Sequence, residues 1–201
     1  MAEYRHLKAE IKSGKEPITV NGTHTEMKVL DFWQWAHSDL ISNSLRGVFA
    51  EYLVASAVGS AGNPREEWAA YDVLSPEGIR IEVKSSAYMQ SWFQSKPSAI
   101  RFGVGERRYW DPTTNVLGTD SERRSDVYVF ALLAHPEKDT LNPLELSQWE
   151  FYVLSRRTLD ENKIGQSITL KTLEKLHAKK VKFEELRSAI LSAYPSENRC
   201  P

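Results

Sequence analysis

Trp68-Ala69-Ala70-Tyr71-Asp72-Val73-Leu74, the tetrapeptide Ser75-Pro76-Glu77-Gly78 and Ile79-Arg80-Ile81-Glu82-Val83-Lys84-Ser85-Ser86 form the stretch that decides the fold of this chain. Two apolar-rich runs flank a turn-forming sequence, which predicts a β-hairpin. Alternate side chains of a strand share a face, so Ile79, Ile81 and Val83 point one way and Arg80, Glu82 and Lys84 the other. Positions two apart lie roughly 6.6 Å apart along the backbone, so a carboxylate can hold a cation while its neighbouring ammonium reaches a water or a phosphate. Asp72, across the turn, brings a second carboxylate towards the same cation. Such hard oxygen ligands suit Mg²⁺, with Mn²⁺ as substitute, and leave positions for water and substrate phosphate. The bound metal polarises phosphate and lowers the pKa of its water. The alternative is an amphipathic strand whose wet face carries weak surface pairs.

Upstream, Phe32, Trp33, Trp35 and Ala36 recur at helical spacing over Asp31 to Leu40, and Ser42-Asn43-Ser44 offers a cap for a second helix from about Leu45 to Val58, ended by Gly59 and Gly62. Arg46 and Glu51 are the only charged residues of that second helix. A carboxylate on so apolar a helix needs a partner. The bland reading of Glu51 is an ion pair with Arg46 or an exposed stripe; the functional one makes it an outer metal ligand acting through water.

Downstream, Ala99 to Val104 is a candidate strand, and Gly105 to Ser125 reads as a long turn-rich excursion. Asp126 to Leu133 is almost continuously apolar and suits a central strand buried on both faces. Trp149 to Leu154 reads as another strand. Leu170 to Leu176 and Phe183 to Tyr194 read as two short amphipathic helices, with Lys179, Lys180 and Lys182 in a solvated turn between them. The expected organisation is a single domain over 1–201, with an arm or edge hairpin at 1–27, a core at 28–155 and a helical extension at 156–201.

Composition narrows the class. Hydrophobic residues make up 41% and charged residues 26% of the 201 residues, as in ordinary folded soluble proteins. A formal net charge of -1 means that any nucleic-acid surface must be local. Cys200 is the only cysteine, which excludes an internal disulfide or a cysteine-based zinc cluster and makes a reducing cytoplasm the expected setting. No apolar run reaches membrane-spanning length, and the N-terminus has no secretory pattern. The histidines show no paired metal spacing, and neither a nucleophile elbow nor a phosphate-cradling glycine loop is present.

An acidic residue on a helix, followed by a hairpin bearing Asp72 and then Glu82-Val83-Lys84, resembles the PD-(D/E)XK, or restriction-endonuclease-like, nuclease superfamily. Tyr71 stands where the name-giving proline would be. The resemblance covers about Leu45 to Leu133 and implies an α/β fold, a mixed central sheet flanked by helices in the order αβββαβ. It implies that Asp72 and Glu82 bind the metal, that the Val83 carbonyl completes its coordination, that Glu51 acts through water, and that Lys84 positions the attacking water and stabilises developing charge. Polar residues just beyond the lysine often contact metal waters or backbone in such nucleases, which singles out Ser86 and Gln90. Asp31-Phe32-Trp33-Gln34-Trp35-Ala36, Arg46-Gly47-Val48-Phe49-Ala50-Glu51 and Gln148-Trp149-Glu150-Phe151-Tyr152-Val153-Leu154 are also similar to a widespread bacterial family without an assigned role.

Arg107, Arg108, Arg123 and Arg124 bracket the long excursion and offer a local phosphate-binding patch that the net charge conceals; solvated loop charges are the alternative. The expectation is therefore a Mg²⁺-dependent endonuclease acting on DNA in restriction, repair or mobile-element defence. A homodimer is the form expected if one domain cuts both strands. The competing expectation is a nuclease-like module that binds nucleic acid or protein without cutting, and binding alone does not require both acids and the lysine.

Overall fold

The computed structural model describes residues 7–67, 69–111 and 113–194. Trp68 of the expected hairpin, Met1 to His6 of the arm, and Cys200 lie outside the described residues. The chain begins with a hairpin of β1 (Pro17–Val20) and β2 (Thr23–Lys28). Its turn is made by Asn21 and Gly22 at φ 50° and 80°. Two successive left-handed residues suit a tight turn whose twist matches the strands, which explains an Asn-Gly pair there. Helix α1 (Val29–His37) follows, and then α2 (Asn43–Val58). Gly59 closes α2 at φ 80°, where its own N–H and that of Ser60 reach the carbonyls of Ser56 and Ala55.

The expected hairpin is present, though its first strand is short: β3 is Val73–Leu74 and β4 is Arg80–Ala87. Ser75 shapes the turn, its Oγ accepting from the N–H groups of Glu77 and Ile79, and Gly78 takes φ 80°. After β4 come β5 (Arg101–Gly103), β6 (Arg107–Asp111), β7 (Val116–Glu122), β8 (Val127–Leu133) and β9 (Trp149–Ser155). The C-terminal part holds α3 (Arg156–Glu161), β10 (Ser167–Thr169), α4 (Leu170–Lys175), β11 (Lys179–Val181) and α5 (Phe183–Ala193).

Five strands form the central sheet in the order β11-β9-β8-β4-β3. Only β4 and β8 pair in parallel, with Glu82 opposite Tyr128 and Lys84 opposite Phe130; the other neighbours are antiparallel. Asp126 fixes that parallel register: its carboxylate takes Arg80 Nε at 3.0 Å, Nη2 at 2.6 Å and the Arg80 backbone N–H at 3.1 Å. Every residue of β8 is buried, as its apolar run predicts. Val127, Val129, Ala131 and Leu133 join Leu53 and Val54 of α2 and Leu186 and Ile190 of α5 in one core. Tyr128, Phe130 and Leu132 face a second core with Phe102 of β5, Ile168 of β10, Leu159 of α3 and Leu173 of α4. The mixed α/β class with a central mixed sheet between helices is thus as read from sequence.

Details differ. No helix lies between the strand of Lys84 and β8 among the described residues; the parallel crossover is made by irregular chain, β5 and a β6–β7 hairpin. Pro97, Gly103, Gly105 and Pro112 interrupt that stretch too often for a helix to propagate. The excursion at 105–125 therefore holds two strands rather than turns alone, and β5 pairs with β10 outside the central sheet. Lys179 and Lys180 belong not to a solvated turn but to β11, the edge strand on β9. Their exposed charges blunt the edge while Val181 is buried in the core, a combination that an edge strand tolerates.

Candidate active site

The antiparallel ladder continues one residue before β3, where Asp72 N–H donates to Ile81 O at 3.0 Å. That contact carries the side chain of Asp72 across to β4, and its Oδ2 accepts the Val83 N–H at 2.7 Å. Val83 itself is buried on the α2 side, so Glu82 and Lys84 emerge on the opposite face, as alternation predicts. Lys84 Nζ lies 2.6 Å from Glu82 Oε1 and 4.0 Å from Asp72 Oδ2. The other carboxylate oxygen of Glu82 accepts from Oγ of the buried Ser125 at 2.9 Å. The three side chains are only 17% to 22% exposed.

Burial, and then the charge of Glu82, push the Asp72 carboxyl up to about 6 against the opposing pull of Lys84 and the Val83 N–H. Two nearly buried carboxylates sharing one ammonium are short of positive charge. That charge deficit, together with a hard oxygen donor set, fits a divalent cation.

Asp72, Glu82 and Lys84 line a cleft of about 550 Å³, and Glu51 and Arg65 line it too. Glu51 does not face solvent freely. Arg65 holds both its oxygens, Nε on Oε2 and Nη2 on Oε1 at 3.3 Å. Among the described residues no three His, Cys, Asp or Glu side chains form a group able to hold a metal. The structure therefore brings Asp72 and Glu82 together as a pair and places Glu51 in the same cleft, engaged with an arginine.

Arg46 is not that arginine. It is buried and turned towards β4, donating to Ser85 Oγ (3.2 Å), Gln90 Oε1 (3.2 Å), Asn43 Oδ1 (2.7 Å) and Ile41 O (3.0 Å). Gln90 is buried in this network and spends its Nε2 on Ala87 O and Ser98 Oγ, while Ser86 lies one alternation beyond Lys84; neither lines the cleft. Gln90→Ala should leave one guanidinium proton of Arg46 unpaired in the interior. The expected cost is about 1–3 kcal/mol, read as a lower denaturation midpoint with unchanged slope; an unaltered midpoint would show that the network is dispensable.

All four arginines of the excursion line the cleft. Arg107 and Arg108 are exposed on β6. Arg124 lies 4.6 Å from the centroid of the Tyr109 ring. Arg123 is buried and acts as an anchor, donating to Val104 O at 2.8 Å, Asp160 Oδ1 at 2.7 Å and Gly165 O at 3.2 Å. Sequence reasoning missed Arg65 and Ser125. Ser125 stood one residue before a legible buried strand, which is a weak signal. Arg65 lies in irregular chain after Pro64, and nothing in the sequence joins it to Glu51.

The fold is that of a mixed α/β protein whose central sheet between helices is consistent with a nuclease-like core. The chain belongs to the bacteriophage T4 endonuclease IV family, whose model matches residues 1–172. No curated protein matches the chain.

Among the described residues no helix is long and apolar enough to cross a membrane.

Proposed function

We propose that this protein is a metal-dependent endonuclease that hydrolyses DNA phosphodiester bonds at a site of the PD-(D/E)XK type. The observation that carries the reading is the meeting of Asp72, Glu82 and Lys84 in one cleft, with an oxygen of each carboxylate within 4.0 Å of the lysine ammonium. The endonuclease family supports phosphodiester cleavage within a nucleic acid, which we read as DNA.

Asp72 and Glu82 would hold Mg²⁺ or Mn²⁺, with the Val83 carbonyl as a further donor. When bound, such an ion polarises the phosphate and acidifies water. The chain's own residues do the rest. Ser125 holds one oxygen of Glu82 and so orients its carboxylate. The Val83 N–H fixes the Asp72 carboxylate in the same way. Lys84, released from Glu82, places its ammonium where it orients the attacking water and meets the charge gathering on the phosphate oxygens. Arg107, Arg108 and Arg124 supply cationic contacts to the DNA backbone along the cleft.

Purified protein incubated with plasmid, linear and single-stranded DNA should cleave DNA in Mg²⁺ or Mn²⁺ and stop in EDTA. A parallel incubation with RNA reads the nucleic acid preferred. Cleavage that continues undiminished in EDTA would refute the metal-dependent reading.

A further inference from the structure

The cleft holds a guanidinium that the acid–lysine set does not account for. Glu51 takes Arg65 side-on, through Nε and one Nη2 proton. A guanidinium has five donors in a rigid plane, so this pairing uses one edge of the fork. Among the described residues no hydrogen bond reaches Nη1. Exposure divides the pair in the same sense: the Glu51 side chain is 14% exposed and the Arg65 side chain 40%. The half-buried carboxylate thus grips one edge of the guanidinium and leaves its far edge unspent, on a residue that lines the cleft containing Asp72, Glu82 and Lys84.

We infer that Arg65 is a substrate-phosphate ligand of this cleft and that Glu51 is its positioning residue, acting through the arginine rather than through a metal-bound water. The inference rests on reading the cleft as a DNA-cleaving site. A phosphodiester presents two oxygens that match the free edge of the fork, and a point charge such as lysine does not reproduce that match. Position is the second argument. Arg65 sits in the irregular segment between α2 and β3, where no ladder holds it, and the paired carboxylate on the rigid α2 fixes its plane. The third is the donor set: both Glu51 oxygens are engaged, and no third acid joins Asp72 and Glu82 in metal-holding geometry among the described residues. The hydrogen bond to Glu51, and behind it the charges of Glu51, Asp72 and Glu67, hold the Arg65 guanidinium above its ordinary range. Charge taken up by the Asp72–Glu82 pair would leave Arg65 available to an anion.

The test measures DNA binding without cleavage, by fluorescence anisotropy of a labelled DNA in EDTA across a salt series. It compares the wild type with Arg65→Ala, Arg65→Lys, Glu51→Gln and the double variant Glu51→Gln/Arg65→Ala. Arg65→Ala should weaken binding about 5- to 10-fold and reduce the salt slope by about one. Arg65→Lys should keep the slope and lose part of the affinity. Glu51→Gln should lose affinity in the wild-type background and nothing further beside Arg65→Ala, because its effect passes through the arginine. Mn²⁺ affinity, measured by electron paramagnetic resonance, should change less than twofold in Glu51→Gln. A tenfold loss of Mn²⁺ affinity in that variant, with additive losses in the double variant, would overturn the inference and return Glu51 to the metal. So would an Arg65→Ala protein with unaltered affinity and slope. Arg65→Lys, which keeps the charge next to Glu51, decides the case if Arg65→Ala does not fold. A wild type that binds DNA and cleaves nothing with any metal would refute the proposed activity while the binding series still decided the role of Arg65; a wild type that does not bind DNA would overturn both.

Discussion

Lys84→Ala is expected to lower DNA cleavage by about 10²- to 10³-fold, the usual loss when one preorganised donor to a developing charge is removed. The structure separates this effect from a loss of metal. Lys84 competes with any cation for Glu82 at 2.6 Å and for Asp72 at 4.0 Å. Removing the ammonium should therefore leave Mn²⁺ binding undiminished or tighten it, while turnover falls. Lys84→Arg should keep the charge and still lose most of the rate, because a planar fork cannot take the position of a compact ammonium between two carboxylates. Full cleavage by Lys84→Ala would remove the lysine from the mechanism.

Asp72→Asn should abolish activity and at the same time stabilise the metal-free protein. The carboxyl of Asp72 is held at about 6, against an ordinary 3.8, chiefly by burial and then by Glu82. Between those values the folded state keeps its proton where the unfolded chain has lost it, so this group's contribution to stability falls as pH rises, and the full cost is present above about 6. A displacement of this size corresponds to at most roughly 3 kcal/mol. With the side chain 22% exposed, solvent screening reduces the recoverable part to about 1–2 kcal/mol. Asparagine keeps an acceptor for the Val83 N–H and carries no charge, so thermal denaturation in EDTA at pH 7.5 should rise by roughly 2–8 °C. The gain should vanish near pH 4, where the wild-type carboxyl is protonated in the folded state.

The same variant reports on metal. Mg²⁺ should raise the melting temperature of the wild type, because a ligand that binds only the folded state stabilises it by mass action, and should do little for Asp72→Asn. Cleavage should fall at least 10²-fold. An Asp72→Asn protein that melts no higher than the wild type in EDTA would show that the buried charge carries no cost, and one that is still stabilised by Mg²⁺ would show that this carboxylate is not a cation site.

Wherever the controlling interaction is local, the chain's own pattern was sufficient. The hairpin around Ser75 to Gly78, the alternation that separates Val83 from Glu82 and Lys84, the buried strand from Val127 to Leu133 and the closure of α2 at Gly59 all follow from neighbours a few residues apart. So does the meeting of Asp72 with Glu82 and Lys84, because a hairpin turn brings its two arms together at once. What eluded the sequence depends on partners far along the chain. Lys179 to Val181 is a strand only because β9 offers an edge to it, and Ser167 to Thr169 only because Arg101 to Gly103 pairs with it. The partners of the three site residues divide in the same way.

The Asp72, Glu82 and Lys84 set, the α/β class and the position of the turn were thus determined by the sequence alone, through strand period and turn chemistry. The tertiary structure alone decided that Arg46 turns inward to Gln90, that Arg123 is an anchor, and that the carboxylate of Glu51 meets Arg65. Side-chain charge says that an ion needs a partner. Which partner it meets is settled by the packing of α2 against the sheet and by the path of the irregular segment beside it, and no periodicity encodes that path.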